Sequence, residues 1–106
     1  MNKYKGCEKL ITGKQRSFLK SMANSIDPIF QIGKGGVSDN LIKQVDDALN
    51  AREIVKISIL NNSELDPTEV AMELAEELNA EFVQSIGKRF TLYRESEKNK
   101  KIDLPK

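Results

Sequence analysis

Apolar residues recur along the chain first at helical and then at strand spacing, several times over. Phe18, Leu19, Met22, Ala23 and Ile26 repeat along one helical stripe. Ahead of them Thr12-Gly13-Lys14-Gln15 fits a capping box, with a hydroxyl at the N-cap and a glutamine one turn on. Asp27-Pro28 is expected to stop this helix, because a residue before proline is pushed out of the helical region. Ile29-Phe30-Gln31-Ile32 reads as a short strand and runs directly into Gly33-Lys34-Gly35-Gly36. Ser38 can cap a second helix whose stripe is Leu41, Ile42, Val45, Ala48 and Leu49.

Ile54 to Leu60 is short and rich in β-branched residues, which predicts a buried strand. Asn61-Asn62-Ser63 is loop chemistry. Asp66-Pro67-Thr68-Glu69 is the strongest helix start in the chain: a carboxylate cap, proline at the first helical position and glutamate at the third. Val70, Ala71, Leu74, Ala75 and Leu78 then face inward, with Glu69, Glu73, Glu76 and Glu77 outward. Glu81 to Ile86 and Phe90 to Tyr93 read as strands joined by Gly87-Lys88-Arg89 at hairpin spacing. The order α-β-α-β-α-β-β requires parallel pairing across the helices and an antiparallel closing hairpin. The expected fold is therefore α/β (α+β): a four-stranded mixed sheet covered by helices. One domain is expected over 10–95, flanked by a basic N-terminal extension (1–9) and a lysine-rich C-terminal tail (96–106).

Composition narrows the chemistry. At 106 residues the chain is one domain's worth, with 39% apolar and 31% charged residues and a mean hydropathy of −0.48. Histidine is absent, which removes histidine-based nucleophilic pairs, imidazole metal sites and imidazole pH switches. Cys7 is the single cysteine, so neither an internal disulfide nor a zinc-thiolate cluster can form. No apolar run approaches a bilayer span, and no apolar signal core follows the N-terminus; a cytoplasmic location is expected.

The net charge of +1 conceals a strong segregation. Residues 1–20 sum to +5, residues 21–87 to −8 and residues 88–106 to +4. No lysine or arginine occurs between Ile57 and Gly87. Because charges are screened over about 8 Å at physiological salt, a ligand responds to the local patch rather than to the total. The same pattern is also what solubilising chain ends would show.

Gly33-Lys34-Gly35-Gly36 joins a strand to a helix start, where unpaired N–H groups and the helix dipole favour an anion. Glycines let the backbone approach a phosphate, and Lys34 would add a mobile charge. The nucleotide P-loop pattern occurs nowhere in the chain, and the dinucleotide fingerprint fails at Ser38, where it needs a third glycine. G-x-x-G, satisfied by Gly33 and Gly36, remains: the loop with which KH modules clamp a nucleic-acid backbone. A plain glycine turn is the competing reading. Lys14, Arg16 and Lys20 of the first helix and Lys88 and Arg89 at the hairpin tip could extend such a site. Phe18, Phe30, Phe82 and Phe90 are expected in the core, and Tyr93, alternating away from Leu92, on the surface. With so few free aromatics, recognition by shape and backbone is expected rather than base stacking.

The glutamates of the third helix form a solvated face by their spacing, not a catalytic carboxylate pair. Cys7 has lysine neighbours but no histidine partner. An enzyme using Lys34 on phosphates would lack both a metal-ligand set and a base, so the chain is expected not to be an enzyme and to need no metal or cofactor.

Taken in order, several stretches resemble the YhbY-like proteins, small bacterial proteins made of a single CRM domain. They are Leu10 to Arg16, Leu19-Lys20 and Ala23, Pro28 to Gly36, Ile86-Gly87-Lys88, Leu92-Tyr93-Arg94 and Lys101 to Lys106. The resemblance implies an RNA-binding fold similar to the C-terminal domain of bacterial initiation factor three. It also implies ribosomal RNA of large-subunit precursors as the partner, and a role in their assembly. The RNA contacts it implies fall on Gly33, Lys34, Gly35, Gly36, Lys14, Arg16 and Lys20. Family members commonly carry histidine after the alanine of the first helix, where this chain has Asn24. Two partner classes follow as expectations for a monomeric protein. One is RNA, held by the glycine loop and its basic surroundings; the other is a basic ribosomal protein or factor, docked on the acidic third helix.

Overall fold

A computed structural model describes residues 12–33, 35–60, 65–96 and 102. The expected N-terminal extension with Cys7, the loop residues Asn61-Asn62-Ser63, and Lys34 lie outside the described residues. Three helices and four strands follow in the expected order: α1 (Gly13–Ala23), β1 (Phe30–Ile32), α2 (Asp39–Arg52), β2 (Ile54–Ile59), α3 (Pro67–Leu78), β3 (Glu81–Ile86) and β4 (Arg89–Tyr93). The strands form one mixed sheet in the order β1-β2-β4-β3. β1 pairs parallel to β2, while β4 pairs antiparallel to both β2 and β3.

The predicted caps are made. Thr12 Oγ1 accepts from Gln15 N–H at 3.1 Å while Gln15 Oε1 accepts from Thr12 N–H at 3.0 Å, completing the capping box. Ser38 Oγ accepts from Leu41 N–H at 3.1 Å, and Asp66 Oδ1 accepts from Thr68 N–H at 3.0 Å. Each removes one of the donors that a helix start leaves unpaired.

α2 and α3 cover one face of the sheet. There Val45, Leu49, Val70, Ala71 and Leu74 pack on Ile32, Val55, Ile57, Ile59, Phe90 and Leu92. A smaller cluster under α1 joins Leu19, Ile54, Val83, Tyr93 and Ile102. β2 therefore departs from a fully buried strand: Lys56 and Ser58 are only half-buried, because α1 covers just part of the second face.

Three further expectations change. α1 ends at Ala23, well before Pro28, because Lys56 Nζ reaches across from β2 and donates to Ala23 O at 3.0 Å and Ile26 O at 3.3 Å. A cation on the last carbonyls satisfies them and complements the helix dipole. Phe18, expected in the core, is 39% exposed, because α1 buries only the narrow edge of Leu19 and Ala23. Tyr93, expected at the surface, is 3% exposed, since α1 and Ile102 close over it.

Glu53 carries a connection that the pattern did not reveal. It sits fully buried between α2 and β2 with φ +70°, a left-handed backbone uncommon for a residue with a side chain. Its N–H donates to Leu49 O, and its carbonyl accepts from Arg94 N–H at 2.8 Å. Its carboxylate accepts from Ser96 N–H at 2.7 Å through Oε2 and from Ile102 N–H at 2.8 Å through Oε1. Ser96 and Ile102, assigned by sequence to a solvated tail, are thereby buried in the domain. Arg94 ties the same region, donating to Leu78 O, Asp46 O and Asn50 Oδ1 and pairing with Asp46 Oδ1 at 2.8 Å.

Two predictions follow from these contacts. Glu53→Ala leaves two buried N–H groups without acceptors and should cost about 3 kcal/mol, read as a lowered midpoint in urea unfolding. The Tyr93 phenol is pushed up to about 12, by burial first and then by the Glu53 and Glu95 carboxylates. The unfolded chain loses this proton near pH 10 while the folded chain still holds it, so this group leaves stability unchanged below pH 10 and lowers it as the pH rises through 12. Tyr93→Phe should flatten the loss of stability between pH 10 and 12. At neutral pH it should be neutral or stabilising, since the buried hydroxyl it removes has no hydrogen-bond partner among the described residues.

Candidate functional site

The strand directions decide which loops share an end of the sheet. β1 and β2 both finish where β4 begins, so the glycine loop after β1 and the β3–β4 turn lie at one end, the hairpin end. Leu60 N–H donates to Ile32 O at 2.9 Å and Ile59 N–H to Lys88 O at 2.8 Å, lacing these segments together. Gly33 and Gly36 close the loop as a tight turn, with Gly36 N–H donating to Gly33 O at 3.0 Å. Each glycine has its own physical reason. Gly36 has φ +70°, and a Cβ on Gly33 would stand 3.2 Å from Leu60 Cδ1, tighter than side chains ordinarily pack. Gly35 is exposed, and a Cβ there meets nothing within 4 Å. The loop delivers the chain to the Ser38-capped start of α2, which places the positive end of that helix dipole next to the turn.

Lys88 and Arg89 belong to this end. Arg89 is exposed and lies between Ser58 of β2 and Ile86 of β3. Together with Gln31, Leu60 and Gly87, these residues border a broad open depression. Its lining mixes polar Gln31 and Ser58, apolar Ile59, Leu60 and Ile86, and the cations Lys88 and Arg89: an open surface suited to an extended polyanion, not an enclosed small-molecule pocket.

The basic residues of α1 stand elsewhere. The Arg16 guanidinium donates to Phe82 O and lies 3.9 Å from Glu81 Oε1, at the start of β3. β3 is six residues long, so that start is roughly 17 Å from the hairpin end. Arg16 is thus engaged in holding α1 to the sheet, and burial raises the Glu81 carboxyl above its ordinary value although the guanidinium beside it pulls the other way. Lys14 and Lys20 are exposed on α1. The single cationic cluster expected from sequence is therefore divided, with the glycine loop, Lys88 and Arg89 at the hairpin end and Lys14, Arg16 and Lys20 along α1.

Among the described residues no helix covers the sheet face between these two groups, a feature that was missed. Lys56, Thr91 and Gln84 face one another across β2, β4 and β3, with Gln31, Ser58, Arg89 and Ile86 in the next row. The polar residues at every second position of β2, Lys56 and Ser58, were the readable sign of a strand open on one side. Asn24 joins this face, accepting from Gln84 Nε2 at 3.2 Å. The exposed glutamates of α3 lie on the other side of the sheet.

Comparison with known proteins gives a consistent result. Residues 11–94 match the CRS1 / YhbY (CRM) domain. The chain is 51% identical over 96 residues to YqeI of Bacillus subtilis, named a probable RNA-binding protein, covering 91% of this chain and all of that one. An RNA-binding protein of Haemophilus influenzae is 30% identical, over 91% of this chain and 96% of its own. The solution structure of the hypothetical protein SAV1595 of Staphylococcus aureus superposes with a TM-score of 0.77 at 51% identity, covering 91% of this chain and 100% of that one.

The different roles of the glycines can be separated by substitution. Gly36→Ala forces a side chain into the left-handed region and should cost about 1 kcal/mol, whereas Gly35→Ala should leave the melting temperature unchanged.

Proposed function

The chain belongs to the CRS1/YhbY (CRM) domain family, and on that premise we propose that it binds structured RNA with the hairpin end of its sheet. The observation that carries this reading is the meeting of the G-x-x-G turn with Lys88 and Arg89 at one end. A helix start beside cations is a combination suited to phosphate binding, which supports this reading. The names of the Bacillus and Haemophilus relatives support RNA as the ligand. The RNA we assign is ribosomal RNA in precursors of the large subunit, with assistance to assembly as the role; the family resemblance supports this choice. Lys34 is assigned a phosphate contact in this reading, and Lys14 and Lys20 meet the backbone farther along an extended substrate. A second surface, the exposed glutamates of α3, faces away from the RNA and suits a basic ribosomal protein.

Phosphate contacts make binding salt-dependent. With about five phosphates of a single strand engaged, affinity should fall roughly 100-fold between 50 and 200 mM salt. The double variant Lys34→Asp, Gly35→Asp should abolish binding to a large-subunit RNA fragment in filter-binding assays while its circular dichroism and melting temperature stay at the parent values. Parental affinity in that variant would remove the loop from the site. A greater loss from Lys14→Glu with Lys20→Glu would move the site to α1.

A further inference from the structure

The uncovered sheet face holds a recess of about 130 Å³ lined by Asn24, Lys56, Gln84, Ile86, Arg89 and Thr91. A backbone-binding surface has no use for such a recess, yet its lining is chemically particular. Thr91, 1% exposed, lies in the middle of its floor with a buried hydroxyl that has no hydrogen-bond partner among the described residues. Gln84 Nε2 donates to Asn24 Oδ1, and the joined amides still carry Gln84 Oε1 as an acceptor and Asn24 Nδ2 as a donor. Lys56 directs two ammonium donors at Ala23 O and Ile26 O and keeps a third. Ile86, 61% exposed, supplies an apolar edge, and its cross-strand neighbour Arg89 a cation at the mouth.

We propose that this recess takes one unstacked pyrimidine base of the bound RNA, with Arg89 on the adjoining phosphate. The inference rests on the RNA-binding reading and adds a base contact to it. Size favours the occupant: the recess of about 130 Å³ is close to the roughly 150 Å³ cavity that accepts benzene, a closer match to one six-membered ring than to the larger purine. Hydrogen bonding fits as well. Uracil and cytosine share a ring carbonyl for the spare Lys56 donor. Each also presents a neighbouring donor–acceptor pair, which two amides can meet in either orientation. Uracil and cytosine are therefore accepted alike, while a base paired inside a helix cannot enter. Ile86 packs on the ring edge and excludes water from these bonds.

The test compares three RNA hairpins with one stem and loops of eight uridines, eight adenosines or eight abasic sites. The full chain should bind the uridine loop about tenfold more tightly than the abasic loop, and the adenosine loop no better than the abasic one. Gln84→Met keeps the side-chain volume and removes the amide. It should abolish the uridine preference while leaving affinity for the abasic hairpin at the parent value. Asn24→Leu, at an exposed helix end, should do the same and serves if Gln84→Met fails to fold. Equal binding of uridine and abasic loops by the parent would overturn the pocket and leave the RNA-binding reading standing. A parent that prefers adenosine would overturn the pyrimidine assignment. A parent that binds none of the hairpins would sink both readings.

Discussion

The buried carboxylate of Glu53 is the constraint on which the rest of the architecture depends. It occupies the left-handed turn where α2 gives way to β2, and with its own backbone groups and both carboxylate oxygens it fastens α2, the end of β4 and the C-terminal segment at once. Burying a carboxylate is costly unless its oxygens are satisfied, and here each accepts a backbone N–H. Arg94 does the corresponding work with cationic donors, reaching the last turn of α3 and two positions on α2. Both residues act at the same end of the sheet, the end away from the hairpin.

This asymmetry divides labour within a small domain. The far end is closed by hydrogen bonds among buried groups, and Ile102 completes the cluster beneath α1. The hairpin end carries Arg89 exposed and Lys88 half-exposed. In sheets with parallel strands, ligands characteristically meet the carboxyl ends of the strands, because the chain must leave the sheet there through loops that no helix covers. β1 and β2 obey that geometry, and the antiparallel hairpin delivers Lys88 and Arg89 to the same place. A nearly neutral protein thereby presents a cationic end and an uncovered polar face, with the glutamates of α3 on the opposite side.

Much of this was legible beforehand. The α3 start at Asp66-Pro67, its inward stripe and the closing hairpin depend on local spacing and capping chemistry, which a linear pattern displays directly. The glycine loop was legible for the same reason, since Gly33 and Gly36 bracket a local turn. Errors arose where a residue's fate depended on what lay above it. Tyr93 alternates outward from β4 as expected, yet α1 and Ile102 cover it. Phe18 lies on an apolar stripe that proved wider than the surface available to bury it. The contacts of Arg16 were likewise invisible in the linear pattern, because its guanidinium meets Phe82 O and Glu81 on β3.

By itself the order of residues determined the element sequence, the helix starts and the mixed character of the sheet, because capping, periodicity and chain connectivity act over a few residues or through the length of a crossover. Only the tertiary structure decided which face of the sheet α1 covers, where Lys56 ends that helix, how Glu53 binds the C-terminal segment, and which cations stand together. Those outcomes hinge on contacts between segments far apart in the chain, where a hydrogen bond or an ion pair exists only if packing brings both partners within about 3–4 Å.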